Sequence, residues 1–173
     1  MGTPPLIVVM GVSGSGKSVV GEALAGSLAV PYADGDDLHP DANIEKMRAG
    51  TPLTDEDRRP WLDRCGDWLR EHDAAGGVLA CSALTRSYRD RLRSRAHRVR
   101  FIELDVPEQV LRHRLARRTG HFMPVSLLAS QLATLETLGD DESGFRVAVG
   151  ADSTVAATVA IVEERLLVDQ AGT

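Results

Sequence analysis

Residues 6–18 read Leu6-Ile7-Val8-Val9-Met10-Gly11-Val12-Ser13-Gly14-Ser15-Gly16-Lys17-Ser18, and this stretch decides the fold. Five apolar residues, mostly branched, suit a strand buried on both faces. Gly11 follows at once, then Gly16, Lys17 and Ser18, which fits G-x-x-x-x-G-K-[ST], the phosphate-binding P-loop pattern. Glycines at 11, 14 and 16 let successive N–H groups turn inward around a phosphate. Lys17 brings a point charge to the outer phosphates, and Ser18 offers a hydroxyl to Mg²⁺. The helix that begins here aims the positive end of its dipole at the same anion. Gly11, Val12, Ser13, Gly14, Ser15, Gly16, Lys17 and Ser18 are therefore the expected ATP-binding residues. The plainer reading, a Gly/Ser-rich turn, is disfavoured by the strand before it and the helix after it.

The whole 173-residue chain fits one domain with a sizeable core. Its 20 Lys and Arg against 25 Asp and Glu give a formal charge of −5, which offers no general attraction for nucleic acid or an anionic membrane. No apolar run approaches the ~18 residues of a membrane helix. The N-terminus enters the first strand directly, so no signal peptide is expected. Cys65 and Cys81 are too few and too scattered for a disulfide framework or zinc site, and are expected to be buried apolar residues. A reduced, cytoplasmic protein is the natural expectation.

Working outward, Val20, Leu24 and Leu28 mark a helix from Lys17 to Leu28. A short strand around Pro31 to Ala33 leads into Asp34-Gly35-Asp36-Asp37, read as a cation and hydroxyl site ahead of a mere turn. His39-Pro40 opens a polar helix closed by Gly50, and Thr54 caps the next, which runs to about His72 and carries Trp61 and Trp68 as core or docking residues. Val78 to Cys81 forms a third strand ending in Ser82-Ala83-Leu84, without the magnesium aspartate that motor and transport ATPases usually carry there. Arg86 to Arg100 is dense in arginine and reads mostly as a solvated surface. A fourth strand, Val99 to Leu104, precedes a helix expected to be capped by Asp105. Arg114, Arg117 and Arg118 beside Gly120-His121-Phe122 point to a lid that closes over phosphate, about residues 117–136, although a favourable charge at a helix C-terminus would also explain Arg114 or Arg117. Another helix spans Ser126 to Leu135, an edge strand Phe145 to Val149, and a final helix capped by Ser153 carries Val155, Val159, Val162 and Leu166. Strands alternating with helices predict a three-layer α/β domain with a parallel sheet.

With these residues in view, the chain resembles the gluconokinases, small P-loop kinases akin to shikimate and nucleoside monophosphate kinases. The resemblance runs from Val8 to about Val162. It rests on the P-loop, Asp34-Gly35-Asp36 with His39-Pro40, Asn43-Ile44-Glu45-Lys46-Met47, Pro52-Leu53, and Asp57-Arg58 with Pro60-Trp61-Leu62. Cys81-Ser82-Ala83-Leu84 with Tyr88-Arg89-Asp90, Gly120-His121-Phe122, Gln131 and Thr134-Leu135-Glu136 complete it. Thr137-Leu138 departs from it, where the family leads us to expect a proline. The resemblance implies a five-stranded parallel sheet in the order 2-3-1-4-5, a small helical lid, a possible homodimer, and ATP-dependent phosphorylation of D-gluconate to 6-phosphogluconate. It also implies Asp34 with Ser18 as the magnesium ligands, Asp36 as the group that grips the acceptor, and an acceptor segment about 34–75. Lys17, Asp36 and Arg118 are then the expected catalytic residues. A bidentate arginine suits the gluconate carboxylate, with Arg58 and Arg89 as candidates, and His39 and Ser82 are available for sugar hydroxyls.

Two rivals use much of the same sequence. A kinase for shikimate or another small hydroxy acid would share the parts but not the block from Asp34 to Met47. A non-catalytic nucleotide switch would need neither paired acids at 34 and 36 nor an arginine lid.

Overall fold

Leu6–Met10 (β1) is buried at every residue because it is the middle strand of the sheet. A computed structural model describes residues 2–118 and 126–171 of the chain. The order of elements after β1 is α1 (Lys17–Leu28), β2 (Tyr32–Asp34), a 3-10 turn (Gly35–Leu38), α2 (Asp41–Arg48), α3 (Asp55–Glu71) and β3 (Gly77–Ala80). Then come α4 (Arg86–Arg95), β4 (Arg100–Asp105), α5 (Glu108–Ala116), α6 (Ser126–Thr134), β5 (Gly144–Ala148) and α7 (Val155–Ala171). The five strands lie in the order β2-β3-β1-β4-β5, as the resemblance implies, and all are parallel, as the alternation of strands and helices predicts.

Alternation along β1 divides the core in two, since successive side chains of a strand point to opposite faces. Ile7 and Val9 pack with Val20 and Leu24 of α1, Leu111 of α5 and Val159 and Val162 of α7. Leu6, Val8 and Met10 pack with Trp61, Leu62 and Leu69 of α3 and Leu92 of α4. Both cysteines are buried free thiols in this second layer.

Register places the site. Ala80 is opposite Val9 on one side and Asp34 on the other. The P-loop, the Asp34 turn and the Ser82 segment therefore leave the sheet side by side, at the carboxyl edge where parallel α/β sheets bind ligands.

The caps are mixed. Thr54 forms a capping box for α3: its Oγ1 accepts from Asp57 N–H at 3.2 Å, and Asp57 Oδ2 accepts from Thr54 N–H at 2.9 Å. Asp105 does not cap α5. It is the last residue of β4, opposite Ala148, its carboxylate accepts from Arg146, and Pro107 starts the helix. Thr154 rather than Ser153 caps α7, its Oγ1 accepting from Ala157 N–H at 3.1 Å, while Ser153 Oγ accepts from Gly150 N–H.

The arginines of α4 are paired, and apart from the buried Arg89 they stay partly exposed. Arg91 meets Asp63 at 2.8 Å, and Arg95 bridges Asp63 and Asp67, which stitches α4 to α3. Among the described residues no helix is long and apolar enough to cross a membrane.

Candidate phosphoryl-transfer site

The P-loop leaves β1 at Gly11 and folds on itself, Ser15 N–H donating to Val12 O at 3.2 Å. Gly16 is the N-cap of α1 with φ 93°, a left-handed conformation that residues with a Cβ resist. Lys17 follows as the first helical residue, and its Nζ donates to Val12 O at 3.1 Å. Burial lowers the ammonium's pKa; Asp36 and Asp34 pull it back up, and the charge of Arg118 lowers it again. Lys17 thus lies in a field set jointly by the two acids of the 34–37 turn and the arginine after α5.

Beside it, Ser18 Oγ donates to Asp34 Oδ2 at 2.6 Å. The other oxygen of Asp34 accepts from Asp36 N–H at 3.0 Å, so this carboxylate shapes the turn that presents Asp36. Gly35 permits the approach: a Cβ there would lie 2.6 Å from Ala80 O. Two hard oxygens within 2.6 Å of each other fit neighbouring corners of a divalent cation's shell, which are about 3 Å apart when ligands lie at ~2.1 Å. Among the described residues no group of three or more His, Cys, Asp or Glu could hold a metal, so phosphate oxygens and water would fill the remaining corners.

The P-loop separates two clefts. One is lined by Ser13 and Lys17 with Asp36, His39, Arg58 and Ser82, joined by Met47, Leu53, Trp61 and the α6 residues Leu127, Ser130 and Gln131. The other lies beyond Gly14–Gly16, between Arg114, Arg117 and Arg118 on one side and Thr154 and Val155 on the other. Arg114 braces the loop from that side, donating to the carbonyls of Gly14 and Ser15 at 3.2 and 3.3 Å.

Within the first cleft, His39 stacks on Trp61 with ring centroids 4.3 Å apart, and Trp61 Nε1 donates to Gly35 O at 2.7 Å. Burial, and then the charge of Arg58, lower the His39 pKa to about 4, so the imidazole is neutral at pH 7. Asn43 Nδ2 donates to Asp57 O at 2.8 Å and is 3.2 Å from His39 Nδ1. One hydrogen of that amide goes to the carbonyl, and the second makes Nδ1 the acceptor. The proton of His39 is therefore on Nε2. Arg58 is held by Tyr88, whose hydroxyl accepts from its Nη1 at 3.2 Å and in turn donates to Asp55.

Arg89 does not join this cleft, contrary to the expectation for it. It is fully buried: Nε and Nη2 donate to the two oxygens of Glu142 at 2.7 and 2.8 Å, and Nη1 donates to Ala83 O and Glu136 O at 3.0 Å each. Burial would raise the Glu142 pKa, but bonds from Arg89, Gly139 N–H and Arg93 outweigh it and bring the carboxyl down to about 2. What Arg89 holds is the segment after β3. Ala83 has φ 44°, a left-handed angle that costs a non-glycine residue about 1–2 kcal/mol. All three carbonyls there are engaged: Ser82 O by Gly11 N–H, Ala83 O by Arg89, and Leu84 O by Glu136 N–H.

Met47 and Leu53 fall within the expected acceptor segment and Leu127, Ser130 and Gln131 within the expected lid, but the sequence singles out none of the five as a site residue. The i, i+3, i+4 spacing of Leu127, Ser130 and Gln131 was the available signal for one helix face. Of the expected lid, 117–118 and α6 are described, whereas Thr119-Gly120-His121-Phe122 lies outside the described residues.

A nucleotide-type loop with an acid pair and a polar second cleft beside it, on a 2-3-1-4-5 parallel sheet, defines a P-loop kinase of small molecules. A family model described as an AAA domain matches residues 6–138. The gluconokinase of Gluconobacter oxydans is 56% identical over 146 residues, 83% of this chain and 82% of that protein. Among solved structures, an unliganded sugar kinase from Janibacter sp. HTCC2649 superposes with a TM-score of 0.83 at 43% identity, covering 95% of this chain and 92% of its own. A gluconokinase from Sinorhizobium meliloti 1021 gives 0.77 at 45% identity, covering 98% and 99%. The chain belongs to the gluconokinase family.

Proposed function

We propose that this chain transfers the γ-phosphoryl group of ATP to the 6-hydroxyl of D-gluconate, as an ATP:D-gluconate 6-phosphotransferase. The observation that carries the reading is one cleft in which Lys17 of the P-loop meets Asp36, His39, Arg58 and Ser82. A phosphate loop with only a nucleotide to hold has no use for that second set of groups.

The second cleft takes the nucleoside half of ATP, between the arginines after α5 and the start of α7. The backbone of Gly11 to Ser18 takes the phosphates. Ser18 and Asp34 would hold Mg²⁺, which would offset the charge of the phosphates. Arg58 takes the acceptor carboxylate through its guanidinium fork. Neutral His39 donates from Nε2 to a hydroxyl, and Ser82 takes another.

Asp36 accepts the hydrogen bond of the attacking hydroxyl and receives its proton. The hydroxyl oxygen forms the new bond to Pγ as the bond from Pγ to the β-phosphate oxygen breaks, and ADP leaves with that electron pair. Lys17 and Arg118 neutralise charge on the moving group, with positioning doing the rest. The decisive assay is ADP release with Mg·ATP across gluconate, gluconate epimers, shikimate and nucleoside monophosphates. Turnover highest with gluconate is expected. Preference for another acid overturns the substrate, and no acceptor dependence overturns the kinase reading.

A further inference from the structure

Helices α3 and α4 are joined by a seam of charge that changes character at the first cleft. Tyr88, Arg91 and Arg95 recur at i, i+3 and i+7, so they share the face of α4 that meets α3. Away from the cleft the seam sets acid on α3 against arginine on α4, with Asp63 and Asp67 pairing to Arg91 and Arg95. At the cleft the order reverses. There the arginine is Arg58 on α3, and what meets it from α4 is the neutral phenol of Tyr88. Asp55 lies three residues before Arg58 on the same helix, a spacing at which acid and arginine pair directly. Its carboxylate instead accepts from the Tyr88 hydroxyl. That donation turns the phenol's lone pairs toward Arg58 Nη1 at 3.2 Å, and the guanidinium carbon lies 5.7 Å from the centre of the same ring. Burial and then the bond to Asp55 push the phenol's pKa up, so the hydroxyl keeps the proton it donates. Among the described residues no carboxylate pairs with Arg58.

We propose that Tyr88 is a positioning residue for the acceptor carboxylate: it separates Asp55 from Arg58, so that the guanidinium enters the cleft aimed and with its charge left for an anionic substrate. A guanidinium already neutralised by Asp55 would gain little from a second carboxylate. Preference for an acid over a neutral sugar or polyol then depends on a phenol that does not itself line the cleft. The inference rests on Arg58 as the carboxylate-binding residue of the proposed function, but not on gluconate being the acid.

Three purified proteins test it: Tyr88→Phe, Tyr88→Phe combined with Asp55→Asn, and Arg58→Met. KM and kcat are measured for ATP and for whichever acid the parent turns over best. Tyr88→Phe keeps the ring and removes the hydroxyl that stands between acid and arginine. The expected result is an acceptor KM raised about tenfold, with kcat and the KM for ATP within about twofold of the parent. Adding Asp55→Asn removes the competing charge and should bring the acceptor KM back to within about threefold of the parent. A role in packing alone would not be rescued by removing a charge. A parental acceptor KM in Tyr88→Phe, or a raised one that Asp55→Asn leaves where it is, overturns the proposal. Arg58→Met tells the two readings apart. If it raises the acceptor KM while Tyr88→Phe does not, this proposal alone falls; if it leaves that KM unchanged, the carboxylate assignment falls and takes the proposal with it.

Discussion

Ser18 and Asp34 are joined by a 2.6 Å hydrogen bond that links the first turn of α1 to the end of β2. In the proposed reaction each would supply one ligand to Mg²⁺, and here each holds the other in place. Ser18→Ala and Asp34→Asn are therefore expected to raise the Mg²⁺ concentration for half-maximal turnover by roughly tenfold or more, the range seen when groups that orient or hold a metal are lost. Thermal stability should change little, because the bond is exposed. Titration of activity with Mg²⁺ at saturating ATP checks this.

Asp36 is foremost among the charges that raise the Lys17 pKa, and the proposed reaction divides the chemistry between these two residues. Lys17→Met should lower turnover by orders of magnitude, about 3–4 kcal/mol of barrier, in a protein that still folds. Asp36→Asn keeps the shape but loses the basicity, so it should cut kcat with gluconate sharply, leave ATP binding nearly intact and not redirect activity to shikimate. Steady-state kinetics and nucleotide titration of the two variants separate these effects.

His39 has a pKa of about 4 against an ordinary 6.5, so its folded environment favours the neutral ring. Between those values the unfolded chain binds the extra proton more readily. This group's contribution to stability is thus complete above pH 6.5 and shrinks as pH falls toward 4. The KM for acceptor should show no ionisation of His39 near pH 6.5. Proton NMR of the imidazole across pH 3.5–7.5, a window set around those two values, is the check: a midpoint near 6.5 would remove the neutral Nε2 donor from the mechanism.

Arg89 and Glu142 are both nearly inaccessible, with side chains 1% exposed. Arg89→Met leaves two carbonyls without their donor and the buried carboxylate with only Arg93 and Gly139 N–H, and should cost about 3–5 kcal/mol in urea unfolding. The depressed Glu142 carboxyl contributes stability that is present above pH 4.5 and is lost as pH falls toward 2. Glu142→Gln should therefore be destabilised at neutral pH and lack the parent's acid limb between those values.

The parts of this molecule that are local in sequence were legible. The P-loop, α1 and the Thr54 cap each depend on residues within a few positions of one another, and the structure has them where the spacing puts them. Of the two missed caps, Ser153 lost to its neighbour Thr154 and to Gly150 N–H three residues back. Asp105 lost to competition from afar, since β4 gained a residue when Ala148 paired with Asp105 and Arg146 took the carboxylate. Arg89 was misread for the same reason. Nothing near Tyr88-Arg89-Asp90 shows that Glu142, 53 residues on, will bury this one arginine among many. Gln131 belongs here too, since its partner Ser13 is 118 residues away.

The P-loop stands as a thin partition, with Ser13 and Lys17 facing one cleft and Gly14–Gly16 facing the other. A single compound can therefore occupy both sides by passing over it: an adenosine polyphosphate tethered to an aldonic acid. Binding of one half would present the other at millimolar effective concentration, so the tethered molecule should outbind either half by two to four orders of magnitude, roughly, if its bridge matches the span. It would also discriminate. P-loop proteins that lack the Asp36 and Arg58 side of the wall would feel only its nucleotide end.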